Sequence, residues 1–260
     1  METPPRATLS VAIVTLNEEA NLPRTLASVT WADEVVVVDS GSTDGTRAAA
    51  QSHGARFVTE PWRGFAAQKN FALSLCTSEW VLSLDADESV SPELAASIQR
   101  AIAAAPSGTA YMLPRRNFFL GRWMRHGGYY PDAKLRLFPR GQGTFQETPV
   151  HETAAFGGKV ETLDGDLLHD AYPTLSTYLD HMQRYSTLGA RIAIARGRTG
   201  QNLLRFLGGV LLNPLATFVY NYMLRAGFLD GREGLLLHLY HSAYVSWKYA
   251  KAWESARRKE

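Results

Sequence analysis

The sequence predicts an α/β fold whose open, mostly parallel sheet carries helices on both faces. Apolar, strand-like runs alternate with helix-like segments over the first half of the chain, and polar residues directly follow three of these runs. Such alternation is typical of right-handed βαβ units. A change of pattern in the last third predicts a C-terminal helical appendage that associates with a membrane.

The first half reads as four strands separated by helices. Strand patterns cover residues 9–16, 35–39, 55–59 and 80–84, and helical patterns cover residues 21–29, 43–53 and 64–76. The run at 35–39 is valine-rich, as expected for an interior parallel strand. Ser91, with Pro92 after it, is expected to cap a further helix.

Polar residues stand where three of the predicted strands end. They are Thr15 and Asn17 after the first strand, Asp39 after the second, and Asp85 and Asp87 after the fourth. In open α/β sheets, ligands bind beyond the carboxyl ends of the strands. We therefore expect a ligand site at this edge of the sheet.

The second half changes character. Short strands are predicted at 110–114 and 134–138, and a helix at 176–195 that ends at Gly197. Residues 206–224 carry no charge and can just span a bilayer. Glycine, asparagine and proline within this run weaken a spanning interpretation, and the next apolar stretch, 234–247, is too short to span. We predict a helical hairpin in the membrane interface; a buried helical pair, an oligomer interface and a true span stay open.

Charge and cysteine content indicate which partners and which cellular location to expect. The formal net charge is only +2, but residues 181–228 contain six arginines and no acidic residue, which suits an anionic membrane surface. No nucleic-acid recognition motif is present, so we expect no nucleic-acid partner. A single cysteine, Cys76, and an N-terminus without an apolar signal segment lead us to expect a cytoplasmic protein, peripherally attached to the inner membrane.

The triplet Asp85-Ala86-Asp87 is the strongest candidate for chemistry. Two carboxylates one residue apart at a strand end can share a divalent cation. Mg²⁺ and Mn²⁺ prefer hard oxygen ligands and usually complete their shell with substrate phosphates. A polar loop with a helix-capping carboxylate is the alternative.

Four linked motifs resemble the family 2 inverting glycosyltransferases, which have a GT-A fold. They are VAIVTLNEEANLPRTLASV, VVVVDSGSTDGT, QKNFAL and WVLSLDADE, within roughly the first 115 residues. Later stretches resemble a narrower subgroup, the bacterial lipopolysaccharide inner-core β-1,4-glucosyltransferases. They are NFFLGRWMRHGGYYPDAKLRLF, TPVHE, LLHDAY and FLDGREG.

The resemblance implies a GT-A catalytic domain over residues 1–172, with a nucleotide-sugar half at about 6–115 and an acceptor half at 116–172. Residues 173–260 would form the helical region. The implied activity is metal-dependent, inverting transfer of a hexose to a lipopolysaccharide core or similar glycolipid. We expect the donor to be a UDP-sugar, with glucose from UDP-glucose as first choice.

The resemblance also implies donor-binding residues. Thr15, Asn17 and Glu19 would hold the nucleoside, Asp39 the base or ribose, and Lys69 would face the nucleotide. Turn-forming and capping roles, a loop carboxylate and a solvated helix lysine are the respective alternatives.

The metal would be Mg²⁺ or Mn²⁺, held by Asp87 and Asp85. His169 is a candidate third ligand, and a hydrogen-bonded loop histidine is its alternative. Arg136 alternates with two leucines on its predicted strand, so it is expected to meet the diphosphate or else to face solvent.

Inverting transfer needs a general base for the acceptor hydroxyl. Glu152 is the first choice, and His151 beside it is expected to orient the acceptor or to act as the base itself, while Asp132 and Glu147 stay possible. A structural ion pair is the alternative role for Glu152.

Other nucleotide-binding folds fit poorly. The first strand is followed by Leu-Asn-Glu-Glu rather than by the glycine motif of nicotinamide-binding folds, and no P-loop occurs. Two alternatives stay open. One is a glycosyltransferase acting on a polyprenyl phosphate, and the other is a non-catalytic protein that binds nucleotide sugars or scaffolds a membrane.

Overall fold

The computed structural model describes residues 7–104, 108–147 and 152–258, which form two compact units. The first unit runs through Arg115 and resumes over Asp132–His169; the second contains Arg116–Pro131 and the chain from Asp170 onward. The strands are β1 (Leu9–Thr15), β2 (Glu34–Asp39), β3 (Arg56–Thr59), β4 (Trp80–Asp85), β5 (Glu88–Val90), β6 (Thr109–Leu113), β7 (Arg115–Phe119), β8 (Arg122–Trp123), β9 (Lys134–Pro139), β10 (Gly143–Glu147), β11 (Glu152–Phe156), β12 (Lys159–Thr162) and β13 (Leu167–Tyr172). The α-helices are α1 (Leu22–Ala27), α2 (Thr46–Ser52), α3 (Phe65–Ser74), α4 (Pro92–Ala104), α5 (Leu175–Ala195), α6 (Leu203–Leu207), α7 (Asn213–Phe218) and α8 (Gly231–Arg257).

The first unit is built on a seven-stranded sheet in the order β12-β6-β9-β4-β1-β2-β3. The neighbours β4, β1, β2 and β3 are parallel, and β9 runs antiparallel between β4 and β6. The predicted mostly parallel sheet is therefore confirmed. The domain boundary predicted between residues 172 and 173 stays a prediction.

The register of the parallel block brings the predicted polar strand ends together. Thr15 on β1 lies opposite Asp39 on β2, and Val14 lies opposite Asp85 on β4. Strand β1 lies inside the parallel block and is covered on both faces, so Val11 and Ile13 are fully enclosed in one core cluster and Ala12 in another. The Ser91 hydroxyl accepts the N–H of Leu94 at 3.2 Å, so the predicted cap of α4 is confirmed.

A β-hairpin, β10–β11, packs on α3. The Asn70 side chain accepts the N–H of Phe145 at 2.8 Å and donates to the carbonyl of the same residue at 2.8 Å. This double contact places the end of β10 beside the N-terminus of α3, where Glu147 accepts the N–H of Ala66 at 3.1 Å.

The second unit joins two of the stretches that carried the narrower resemblance. Buried Asp230, in FLDGREG, accepts the backbone N–H of His126, in WMRHGGYY, at 2.8 Å and contacts Nδ1 of the same histidine at 2.7 Å. His238 on α8 packs so closely against Gly127 and Gly227 that a Cβ on either glycine would lie within 2.3 Å of its ring. Only glycine fits at these two positions.

The C-terminal helices are longer than the sequence predicted. Helix α8 has 27 residues, where a stretch of fourteen was predicted, because its polar ends extend the helix beyond its apolar centre. Residues Leu203–Leu224 form one helix, here called the apolar helix, in which α6 and α7 are each followed by a π-helical segment. It is long and apolar enough to cross a membrane, and only 6% of its most apolar window is buried.

Candidate active site

Asp85, at the end of β4, is held by two basic side chains. Its carboxylate contacts Lys69 Nζ at 2.6 Å and Arg136 Nη2 at 2.6 Å. Both cations are almost fully buried, while the Asp85 side chain is 29% exposed. Burial opposes ionisation of Asp85, but Arg136 and Lys69 outweigh it and hold the pKa of this carboxyl far below its usual range.

Glu88, at the start of β5, extends this network into the interior. Its side chain is fully buried and accepts Arg115 Nη1 at 2.9 Å and Arg136 Nη2 at 3.0 Å. Arg115 also contacts Asp132 at 2.6 Å. The carboxylates of Asp85, Glu88 and Asp132 thus form one ion-pair network with Lys69, Arg115 and Arg136.

Asp87 takes a different partner. Its carboxylate lies 3.3 Å from His169 Nε2, on β13. Burial raises the pKa of Asp87, but the hydrogen bond and charge of His169 lower it below the usual value, against repulsion from Asp85. The two aspartates of the triplet therefore do not share one set of contacts.

Glu18 is a further carboxylate of this region. It accepts Asn21 Nδ2 at 2.8 Å. Burial, followed by repulsion from Asp87, Asp44 and Asp85, raises its pKa despite that bond. Glu18 therefore lies within the electrostatic reach of both aspartates of the triplet.

The loop after β1 is fixed by backbone hydrogen bonds to side chains. Asn17, with a φ of 55°, accepts the N–H of Thr43 at 2.9 Å, and Glu19 accepts the N–H of Gly45 at 2.6 Å. Thr15 is buried, and its hydroxyl has no hydrogen-bond partner among the described residues.

Asp39 organises the loop after β2. Its carboxylate accepts the N–H groups of Gly41 and Ser42, each at 2.9 Å, and contacts the Ser42 hydroxyl. The assignment of Asp39 to the base or ribose stays a prediction.

The candidate general bases are spread along the acceptor half. His151 lies outside the described residues, and for Glu152 the structure describes only the backbone, at the start of β11. Asp132 is ion-paired with Arg115 and Lys134; burial raises its pKa, but these cations bring it down to about 2. Glu147 caps α3.

Most of these side chains were predicted to lie at this edge of the sheet, but three were not. Glu18, Glu88 and Arg115 were not predicted. Glu88 directly follows the triplet and Glu18 stands in the Asn-Glu-Glu after β1, so both lay inside recognised motifs. Arg115 gave no local signal.

Metal-ligating side chains at this edge come in a pair rather than a cluster. Within residues 7–104, 108–147 and 152–258, no three His, Cys, Asp or Glu side chains are arranged around a common ion position. The predicted set of Asp85, Asp87 and His169 is thus not preformed, because Asp85 is turned to Lys69 and Arg136. Asp87 with His169 is the pair that fits a cation needing further ligands from phosphate and water.

Comparison with known proteins identifies the family. The family described as Glycosyl transferase family 2 matches residues 10–164. The lipopolysaccharide core biosynthesis glycosyltransferase LpsC of Rhizobium meliloti is 34% identical over 239 residues, covering 87% of this chain and 83% of that protein. An uncharacterized glycosyltransferase of Rickettsia bellii is 46% identical over 240 residues, covering 88% and 80%.

A solved structure shares the fold. The mannosyltransferase PcManGT of Pyrobaculum calidifontis, in complex with GDP-Man and Mn²⁺, aligns with a TM-score of 0.56 at 19% identity and covers 99% of this chain and 89% of its own. At this identity the likeness concerns the fold alone. The family match excludes the non-catalytic alternative. The chain therefore belongs to glycosyl transferase family 2: it is a glycosyltransferase with a GT-A fold that resembles the lipopolysaccharide core enzymes.

Proposed function

We propose that the chain is a metal-dependent, inverting hexosyltransferase that moves glucose from UDP-glucose to a lipopolysaccharide core or similar glycolipid at the cytoplasmic surface of the inner membrane. The name of LpsC supports the acceptor class, and the Mn²⁺ complex of PcManGT is in keeping with a divalent cation. The charge balance at the edge of the sheet carries the proposal.

The carboxylates at this edge fall into two groups, with and without a lysine or arginine partner. Asp85, Glu88 and Asp132 are compensated by Lys69, Arg115 and Arg136, each in contact with one or two of them. Asp87 and Glu18 meet no lysine or arginine among the described residues, and their negative charges repel each other. Two carboxylates without a lysine or arginine partner, one of them in contact with His169, form a setting that a divalent cation would neutralise.

We propose that Asp87 and His169 hold the cation, and that substrate phosphate and water supply its remaining ligands. When bound, the cation stabilises the negative charge that develops on the departing nucleoside diphosphate. Asp85 then acts as the anchor of Lys69 and Arg136 rather than as a metal ligand. Arg136 Nε is buried without a hydrogen-bond partner among the described residues, so it is suited to donate to the diphosphate.

The nucleoside is assigned to the ends of β1 and β2. Thr15 Oγ1 is buried and lacks a partner in the described part of the chain, as expected of a hydroxyl that meets a ligand. Asn17, Glu19 and Asp39 hold the loops at these strand ends.

The general base is assigned to Glu152, with His151 orienting the acceptor hydroxyl. Two rivals are weakened by their contacts. With a pKa of about 2, Asp132 is a poor acceptor of a hydroxyl proton at neutral pH. Glu147 is committed to the first turn of α3 through Ala66.

The apolar helix is assigned to the membrane interface. It exposes ten large apolar side chains: Leu203, Leu204, Leu207, Leu211, Leu212, Leu215, Val219, Tyr220, Met223 and Leu224. Many recur at intervals of four, so they form a continuous stripe, and soluble proteins rarely leave such a patch bare. This position would bring the enzyme to a lipid-linked acceptor.

The metal and donor assignments are tested by thermal unfolding of the purified chain with a panel of nucleotide sugars, with and without Mn²⁺. UDP-glucose is expected to raise Tm only when Mn²⁺ is present. Asp87→Asn should abolish this shift, whereas Asp164→Asn, an exposed control with the same charge change, should retain it. A shift that persists in Asp87→Asn would remove Asp87 from the metal site.

The base and acceptor are tested by transfer assays. Glu152→Gln should retain the donor-dependent Tm shift and lose transfer, while Glu147→Gln should retain both. Acceptors with a lipopolysaccharide core are compared with polyprenyl phosphates. Transfer to polyprenyl phosphate alone would favour the second candidate function.

A further inference from the structure

A cavity of about 470 Å³ lies in the second unit, where the loop after α5 meets the apolar helix and α8. Its lining residues include Arg198, Arg205, Phe206, Asn213 and Tyr249. Pockets of this volume accommodate small ligands. All of its lining residues belong to the helical unit, and none of them is among the residues assigned above to donor or acceptor.

The charge of the cavity has one sign. Arg198 and Arg205 are its only charged lining residues, and neither forms an ion pair among the described residues. The segment that carries both arginines, residues 181–229, contains no acidic residue. Two guanidinium groups beside an amide and a phenol suit a phosphate group, which guanidinium binds through paired hydrogen bonds.

The cavity wall is held by close packing between the apolar helix and α8. The Ser246 hydroxyl donates to the carbonyl of Val210 at 2.8 Å, within the π-helical segment Gly208–Leu212. A Cβ on Gly209 would lie 3.0 Å from Tyr249, so the helices approach closely here. The site therefore rests on two packed helices rather than on the loop alone.

Two strongly exposed apolar residues stand next to the cavity residue Arg205 in the chain. Leu203 is 70% exposed and Leu204 is 82% exposed, and the pair immediately precedes Arg205. An inorganic phosphate would leave these leucines in water, whereas a lipid with its phosphate in the cavity would cover them with its acyl chains. The combination of a basic cavity and an adjoining apolar stripe thus favours an amphiphile.

We propose that this cavity binds the phosphate headgroup of an anionic membrane phospholipid and thereby fixes how the apolar helix sits at the bilayer surface. The proposal rests on the membrane attachment put forward above but not on the donor or metal assignments. It converts a diffuse attraction between basic residues and lipid into a defined site.

The first test measures binding of short-chain phosphatidic acid, in monomeric form, by its effect on Tm. The wild type is compared with a double variant, Arg198→Gln with Arg205→Gln, and with a control, Arg191→Gln with Arg196→Gln. The control removes the same charge from exposed positions of α5 and its end. We expect the cavity variant to bind at least about tenfold more weakly, because it loses two charge-assisted contacts to the phosphate. The control should bind like the wild type.

A second variant leaves every charge in place. Gly208 lines the cavity in a right-handed helical conformation, and a Cβ there would meet no atom within 4 Å. Gly208→Leu is therefore expected to fold, because it also improves helix propensity, and to obstruct the cavity. It should weaken phosphatidic acid binding as strongly as the arginine double variant.

Three outcomes would overturn the proposal. Equal loss in the control pair would reduce the effect to diffuse electrostatics, and unchanged binding by Gly208→Leu would place the lipid elsewhere. Inorganic phosphate binding as tightly as phosphatidic acid would indicate a free-anion site. The Mn²⁺-dependent shift with UDP-glucose is recorded on the same samples, so a failed lipid site and a failed donor assignment give different results.

Discussion

Replacing Asp85 with asparagine separates the two aspartates of the triplet. The substitution removes the charge that Lys69 and Arg136 both contact at 2.6 Å. Losing one partner of a buried ion pair costs about 3–5 kcal/mol. Two features reduce this cost, because Arg136 keeps Glu88 at 3.0 Å and the asparagine oxygen can still accept one hydrogen bond. We expect the free energy of unfolding to fall by about 2–3 kcal/mol.

The same substitution has a defined pH dependence. Because the pKa of Asp85 is lower in the folded than in the unfolded protein, its stabilisation is present above the unfolded pKa and is lost as pH falls through the folded pKa. The difference between wild type and Asp85→Asn should therefore be constant above about pH 5 and shrink below about pH 4.

Urea unfolding at pH 7 measures this difference, with Asp87→Asn as the matched control. Among the described residues Asp87 is ion-paired only with a histidine, at 3.3 Å, so its loss should cost about 1 kcal/mol or less. A destabilisation by Asp85→Asn smaller than that of Asp87→Asn would refute the division of roles between the two aspartates.

Three further substitutions test individual contacts. Glu147→Gln weakens the hydrogen bond that caps α3 at Ala66. In urea unfolding it should lower the unfolding free energy by about 0.5–1 kcal/mol while leaving transfer intact. Lost transfer at unchanged stability would make Glu147 the base. Glu18→Gln should raise Tm at pH 7, because a carboxyl whose folded pKa is raised destabilises the protein once pH rises through that pKa, and the gain should vanish below about pH 4. Burial, and then His238 and Lys248, lower the pKa of His241 to about 4. Between pH 7 and pH 5 this histidine takes up a proton in the unfolded but not in the folded protein, so it should reduce wild-type stability by about 2 kcal/mol. His241→Gln should show no such loss.

The sheet of the first unit could be predicted because its signals are local. The valine run of β2 and the apolar run of β1 are each continuous, and a helical pattern separates them. Helix ends were predicted less well: the first helix was predicted over residues 21–29 and spans Leu22–Ala27. The chain there leaves the helix through turns that its composition does not mark.

The site could be located from the sequence, but its contacts could not. Glu88 is fully buried although it follows two aspartates in a polar stretch, because its partners Arg115 and Arg136 lie 27 and 48 residues further along the chain. The grouping of Arg116–Pro131 with the C-terminal helices was hidden in the same way. Nothing near Asp230 in the sequence indicates that it holds His126, 104 residues away.

The charge balance explains why one motif contains two different functions. Replacing Asp85 leaves the buried positive charges of Lys69 and Arg136 less compensated. Asp85→Asn should therefore weaken both the folded state and the affinity for Mn²⁺. Replacing Glu18 removes a repelled carboxylate, so Glu18→Gln should stabilise the metal-free protein yet weaken Mn²⁺ binding. Stability and metal affinity therefore move together at Asp85 and in opposite directions at Glu18. Calorimetric Mn²⁺ titration and thermal unfolding of both variants measure this contrast. If both variants lose stability as well as Mn²⁺ affinity, the carboxylates form a single undivided group.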